Sequence, residues 1–185
     1  MMGNVFEEID GGLAQFLRSQ HVFFVATAPT STAELVNVSP KGLDGSFAVL
    51  GPREVAYLDL TGSGAETIAH LRDNGRICLM FCAFDGPPRI VRLHGTGSVL
   101  LPGEEGFDAL LAAFDPPEHA LRSLILIVVE RISDSCGYGV PLMRFDGRRS
   151  QYDDWVDSKV RTTGLDAYVA AKNAESIDGL PAIDR

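Results

Sequence analysis

Apolar positions along this chain fall mainly into short runs broken by glycine, proline and serine, with few long helical stripes. Val22 to Ala28 is a continuous apolar segment closed by Pro29 and a Ser/Thr turn, and Glu34 to Ser39, Ser46 to Leu50 and Val55 to Leu60 follow with turn residues between them. Such runs read as strands, and the short connections favour antiparallel meanders over crossover helices. Arg76 to Phe84 is strongly apolar and expected to be buried on both faces. Arg89 to Leu100 is a longer strand beyond Gly86-Pro87-Pro88, and its glycines, Gly95 and Gly97, predict a bend or bulge. Leu121 to Ile132 is the last long strand.

Helical spacing is more restricted. Phe6 to Ser19 is amphipathic, although Gly11-Gly12 weakens its middle. Gly64 to Asn74 is the best-marked helix: Ser63 and Glu66 stand at capping-box spacing, Ile68 and Leu71 form the inward stripe, and Asn74-Gly75 supplies a left-handed stop. Gly103 to Ala113 predicts a short helix. After Ile132 the character changes. Ser135 to Pro141 is a Gly/Pro-rich loop, Leu142 to Phe145 a candidate short strand, and Ser150 to Asn173 two polar helices split near Gly164. The pattern predicts a mainly β chain with peripheral helices (α+β), six to seven mostly antiparallel strands in a barrel-like sheet. Residues 1–134 form the barrel domain, and 135–185 a loop and helical extension expected to pack on the barrel or on a dimer partner.

Length and composition narrow the classes. A chain of 185 residues suits one domain. A formal charge of −9 with a sequence pI near 4.8 argues against nucleic acid and against an anionic membrane surface, both of which call for a basic footprint. Cys78, Cys82 and Cys136 do not make a disulfide framework, and the first two, in an apolar run, read as buried thiols. The first twenty residues lack a signal-peptide pattern and no window is apolar enough to span a membrane, so a cytoplasmic location is expected.

Two segments carry candidate chemistry. Asn37, Ser39 and Lys41 alternate along a strand, which puts three polar groups on one face and Val36 and Val38 on the other, expected core-facing, side. About twenty residues later, Thr61-Gly62-Ser63-Gly64-Ala65-Glu66-Thr67 leads from a strand into a helix, where free amides attract phosphate. Together they suit a phosphorylated cofactor. Arg89, Arg92 and His94 lie on one long strand, the latter two on one face, and an inward cation there needs an anionic partner. His21, His70 and His119 show no metal-ligand spacing, and no nucleophile elbow, Walker loop or dinucleotide fingerprint is present. Tyr152 and Trp155 are expected to pack on the barrel. No residue is nominated as catalytic acid, base or nucleophile.

In this order (a strand ending in Ser39-Pro40-Lys41-Gly42, the Val55–Leu60 strand with its turn and helix, the apolar strand, then Arg89 to Gly95) the chain resembles the pyridoxamine 5′-phosphate oxidase-like split-barrel family over roughly residues 13 to 132. The resemblance implies a split β-barrel and a homodimer binding FMN, or in some members deazaflavin or haem, in clefts between subunits. It implies that Asn37, Ser39 and Lys41 contact the isoalloxazine and ribityl-phosphate side, that Thr61, Ser63 and Thr67 sit near the phosphate, and that Arg89 or Arg92 reaches the flavin from the partner chain. The expected activity is a flavin-dependent oxidoreductase acting on a small molecule. The alternatives are a haem protein with His94 or His21 as ligand and a non-catalytic flavin-binding module. The chain departs from the oxidases proper at Gly62-Ser63-Gly64-Ala65, where they carry an Arg-Lys pair, and in lacking their C-terminal arginine motif.

Overall fold

The computed structural model describes residues 3–116 and 120–183. Among these residues eight strands are present: β1 (Val5–Phe6), β2 (Phe23–Thr27), β3 (Asn37–Lys41), β4 (Phe47–Gly51), β5 (Glu54–Leu60), β6 (Arg76–Cys82), β7 (Ile90–Leu100) and β8 (Leu121–Ser135). Seven form one antiparallel sheet in the order β3-β2-β6-β7-β8-β5-β4, and β1 adds to β8. The sheet curls around one core, where Phe23, Val25, Tyr57, Leu79, Phe81, Leu93, Ile125 and Ile127 meet. Its end strands β3 and β4 do not pair with each other among the described residues, so the barrel is split, as expected.

The expected bend in the long strand is a register shift between His94 and Gly95 opposite β8. A Cβ on Gly95 would stand 2.1 Å from the Val128 carbonyl oxygen, so only glycine permits this close approach.

Among the described residues five helices surround the sheet: α1 (Gly11–Ser19), α2 (Glu66–Asn74), α3 (Phe107–Leu111), α4 (Gln151–Arg161) and α5 (Leu165–Lys172). The first is shorter than its apolar spacing suggested, because residues 5–6 pair with β8. Asp10 caps it, accepting from the Leu13 amide at 2.7 Å, so Gly11 and Gly12 occupy its first turn and not its middle. The helix α2 begins two residues later than expected, with Ala65 at its N-cap and no side-chain cap. No capping box forms: Glu66 instead accepts from the Ile177 amide at 3.3 Å. The expected left-handed stop is present at Gly75, with φ 72°. Left-handed backbone at Gly106, φ 84°, delays the start of α3. Residues 142–145 are not a strand.

Helix α5 and the chain that follows it lie on α2. Val169, Ala182 and Ile183 pack against Ala65, Ile68 and Ala69 in a second apolar cluster. Trp155 sits between Tyr152 and Tyr168, at ring-centroid distances of 6.0 and 5.1 Å.

One expectation is reversed. Val36 and Val38 are 69% and 62% exposed, and the polar set Asn37, Ser39 and Lys41 is the half-buried one. Register explains it: Asn37, Ser39 and Lys41 stand opposite Thr27, Val25 and Phe23, whose side chains enter the barrel. The polar residues are tolerated there because they stand at the split, where β5 and α2 supply hydrogen-bond partners.

Candidate functional site

The site begins with a carboxylate inside the barrel mouth. Along β5 the alternation that buries Val55 and Tyr57 also turns Asp59 inward, with none of its surface exposed. Across the split, Lys41 Nζ lies 3.0 Å from Asp59 Oδ1, so one ion pair ties β3 to the β5 side of the open barrel. Arg122 supplies the second cation. It is the unpaired residue of a bulge in β8, since Asp59 faces Ser123 and Leu60 faces Leu121. Its Nε and Nη2 both approach Asp59 Oδ2 at 2.8 Å, and Ser123 Oγ donates to the same oxygen at 3.0 Å.

Burial pushes the Asp59 carboxyl towards the neutral form, but the charges and hydrogen bonds of Lys41 and Arg122 outweigh it and hold the group down at about 2. Burial raises the Tyr57 hydroxyl well above its ordinary value, with the Asp59 charge adding to the effect. Asp59 is therefore ionised at neutral pH, and Tyr57 is neutral.

Arg122 also reaches the strand–helix turn. Its Nη1 donates to the Gly64 carbonyl at 2.8 Å and the Gly62 carbonyl at 3.4 Å. Asn173, just beyond α5 and fully buried, donates to the Gly62 and Ser63 carbonyls at 3.0 and 3.4 Å. Tyr152 Oη donates to the Thr61 carbonyl at 3.0 Å. The carbonyls of residues 61 to 64 are thus held by side chains from β8, α4 and the C-terminal extension. The α2 start that follows keeps its first amides free of any side-chain cap. Asn37 Nδ2 donates to Thr67 Oγ1 at 3.0 Å and to Thr27 Oγ1 at 3.3 Å, and Thr27 Oγ1 in turn meets His70 Nδ1 at 3.0 Å.

The structure gathers Asn37, Ser39, Lys41, Thr61 and Thr67 along this rim, with Ser63 exposed at its edge. A groove of about 680 Å³ runs past Asn37, Ser63, Gly64 and Glu66 to Lys172 and Ile177. A separate cleft of about 460 Å³ opens at Lys41. Arg89 and Arg92 stand elsewhere. Arg89 is ion-paired to Asp134 at 3.1 Å and lies over the Phe6 and Phe16 rings. Arg92 donates to Ser135 Oγ at 3.2 Å, and its register with Met80, and through it with Phe24 and Pro40, puts it on the outer face of the sheet.

Of the described histidines, His70 belongs to the Thr27 network and His21 lines the cleft at Lys41. The His21 ring stacks on Phe145 at 3.7 Å. His94 shares the outer face with Arg92, and its pKa is lowered by burial and by the charges of Arg131 and Arg92. His119 lies outside the described residues. Cys82 is buried as expected, whereas Cys78 is only partly so and Cys136 is exposed.

Asp59, Arg122 and Asn173 are absent from the residues the sequence singled out. Asp59 carried a legible signal, a carboxylate at an inward position of an apolar strand, which requires a buried cation. Arg122 opens a strand and Asn173 follows a helix, and neither position shows in one dimension which turn it will reach.

A single antiparallel sheet curled into an open barrel, with a side-chain-braced turn leading into a helix at its split, defines the split-barrel class. The chain belongs to the pyridoxamine 5′-phosphate oxidase family, whose model matches residues 9–136. It is 37% identical over 192 residues to the pyridoxamine 5′-phosphate oxidase family protein ustO of Aspergillus flavus, covering 96% of this chain and 77% of that protein. Among solved structures, a point variant of HupZ from Group A Streptococcus superimposes with a TM-score of 0.51 at 21% identity, covering 69% of this chain and 99% of that one. An FAD-binding protein from Mesorhizobium loti gives 0.50 at 15% identity over 72% and 96%. At these identities the structural likeness concerns the fold. Among the described residues no helix is long and apolar enough to cross a membrane.

Proposed function

We propose that this protein binds FMN along the inner rim of β3 and acts as a flavin-dependent oxidoreductase on a small molecule. The observation that carries the proposal is the turn at residues 61–64. Its carbonyls are tied to Arg122, Asn173 and Tyr152, and the uncapped amides of α2 follow it beside Thr67. That arrangement suits a phosphate. The rim also holds an unused group: Ser39 Oγ is buried without a partner among the described residues, between Asn37 and Lys41 on the same strand face. Family membership, and the flavin bound by the Mesorhizobium loti neighbour, support a flavin as the occupant.

Asn37, Ser39 and Lys41 would hold the body of the cofactor, and Thr61, Ser63 and Thr67 its phosphate end. Bound flavin supplies hydride or electron transfer, and the chain supplies binding, orientation and charge. The exposed Val36 and Val38, with Arg92 on the same outer face of the sheet, favour a homodimer in which the partner's outer face closes the site. Glu66 and Glu175 line the groove together with Lys172, so phosphate binding rests on amides, hydroxyls and that lysine, without the cationic pair of the oxidases.

Titration of FMN with purified protein, followed by flavin fluorescence, tests the proposal. Saturable quenching is expected, weakened in Lys41→Ala. Absence of saturation below about millimolar FMN refutes it, since that concentration corresponds to roughly −4 kcal/mol of binding. The absorbance spectrum of the freshly purified protein separates flavin from deazaflavin and from haem. A Soret band lost on His94→Ala or His21→Ala would replace the flavin by haem.

A further inference from the structure

The cleft of about 460 Å³ at Lys41 has a wall that lies beyond the family-matched residues. One side is β3, the β3–β4 connection and β5, including Leu43, Leu58 and Leu60. The other is the segment from Phe145 to Tyr152. That segment is pinned at both ends. The Phe145 ring stacks on His21 at 3.7 Å with planes 11° apart, and Tyr152 Oη is bonded to the Thr61 carbonyl at 3.0 Å.

The cleft combines apolar walls with a small net positive charge. Lys41 and Arg122 share Asp59, Arg148 pairs with Asp153, and Asp44 stands exposed at the rim. Arg149 lines the cleft without an ion pair among the described residues. Four cations therefore meet three carboxylates, and one positive charge is left over. Such a balance suits one negative charge on the ligand: a dianion would be under-neutralised, and a neutral molecule would leave Arg149 unused. A pocket of this size with apolar walls and few charged groups is typical of a small-molecule site.

We propose that this cleft binds a small monocarboxylate with an apolar body, its carboxylate held by Arg149 with help from Lys41 and its body against Leu43, Leu58, Leu60 and Tyr152. The cleft meets the proposed flavin rim at Lys41, whose ammonium is paired with Asp59, but Arg149 belongs to the cleft alone and carries the assignment, so the proposal can be tested apart from flavin binding.

Calorimetry with 3-phenylpropionate, 3-phenylpropan-1-ol and phenyl phosphate tests it. The carboxylate is expected to bind with a dissociation constant below about 1 mM, and the alcohol at least about tenfold more weakly, a difference of the size charge-assisted hydrogen bonds provide. Arg149→Gln is expected to cost the carboxylate roughly fivefold and the alcohol nothing, and raised salt should erode the same difference. Arg149 is exposed, so the variant retains its fold, checked by circular dichroism. No binding of the carboxylate, equal binding of the alcohol, or an unchanged affinity in Arg149→Gln overturns the proposal. Tighter binding of phenyl phosphate overturns the assignment to a single negative charge. An FMN titration of the same variant should match the wild type. Failure of FMN to bind either protein, with phenylpropionate still bound, would strike only the flavin proposal.

Discussion

Asp59→Asn is the most informative single change, because one carboxylate joins the two sides of the split barrel. The substitution keeps the shape and removes the charge, leaving the Arg122 guanidinium, with 4% of its side chain exposed, without its anion. Breaking a buried pair from one side costs about 3–5 kcal/mol. The lower end is expected here, since Lys41, with 22% of its side chain exposed, can turn to solvent, and the Gly62 and Gly64 carbonyls still receive Arg122. The pH dependence supplies an independent magnitude. The folded-state pKa of Asp59 is depressed from 3.8 to about 2, so its contribution is present above the unfolded value and is lost as pH falls towards the folded one. Linkage puts that loss at about 1 kcal/mol by pH 3 and about 2 kcal/mol by pH 2. Urea unfolding of wild type and variant at pH 6, 4 and 3 measures both. A large gap at pH 6 should narrow by about 1 kcal/mol at pH 3. A gap below about 1 kcal/mol at pH 6, or one unchanged with pH, would refute the assignment of Asp59 as the buried anion of the seam.

Asn173→Ala removes the donor shared by the Gly62 and Ser63 carbonyls; a loss of about 1–3 kcal/mol in chemical denaturation is expected, with weaker FMN binding. Unaltered FMN affinity would show that the bracing of the turn is irrelevant to the ligand. Gly95→Ala drives a Cβ to 2.1 Å from the Val128 carbonyl oxygen, and thermal melts should show a loss of at least about 3 kcal/mol, the upper end of overpacking costs. Val38→Asp, at an exposed position of an edge strand, should leave the stability of the single chain within about 0.5 kcal/mol while dissociating the proposed homodimer in sedimentation. An intact dimer would exclude that face as the interface.

Much of the architecture was legible because strands announce themselves locally. Apolar runs, turn residues and short connections placed the strands, antiparallel pairing and the bulge at Gly95. The helix stop at Gly75 was equally local, since Asn-Gly favours a left-handed residue. The helix start was not. Ser63 and Glu66 had the right spacing for a capping box, but the turn is held by Arg122 and Asn173, which lie 58 and 110 residues from the carbonyls they bind at Gly64 and Ser63. Ser63 is left exposed and Glu66 turns to Ile177.

The sequence by itself determined the period of each segment, and with it the alternation of Asn37, Ser39 and Lys41 against Val36 and Val38. It could not say which side of that strand faces inward. Hydrophobicity favoured the valines. The tertiary structure chose the polar set, because the register with β2 aims those residues at the split, where Thr67 and Asp59 satisfy Asn37 and Lys41. Periodicity is a property of neighbours in the chain. The sign of a face, and the anion that makes a buried lysine tolerable, depend on contacts that exist only once the sheet has curled.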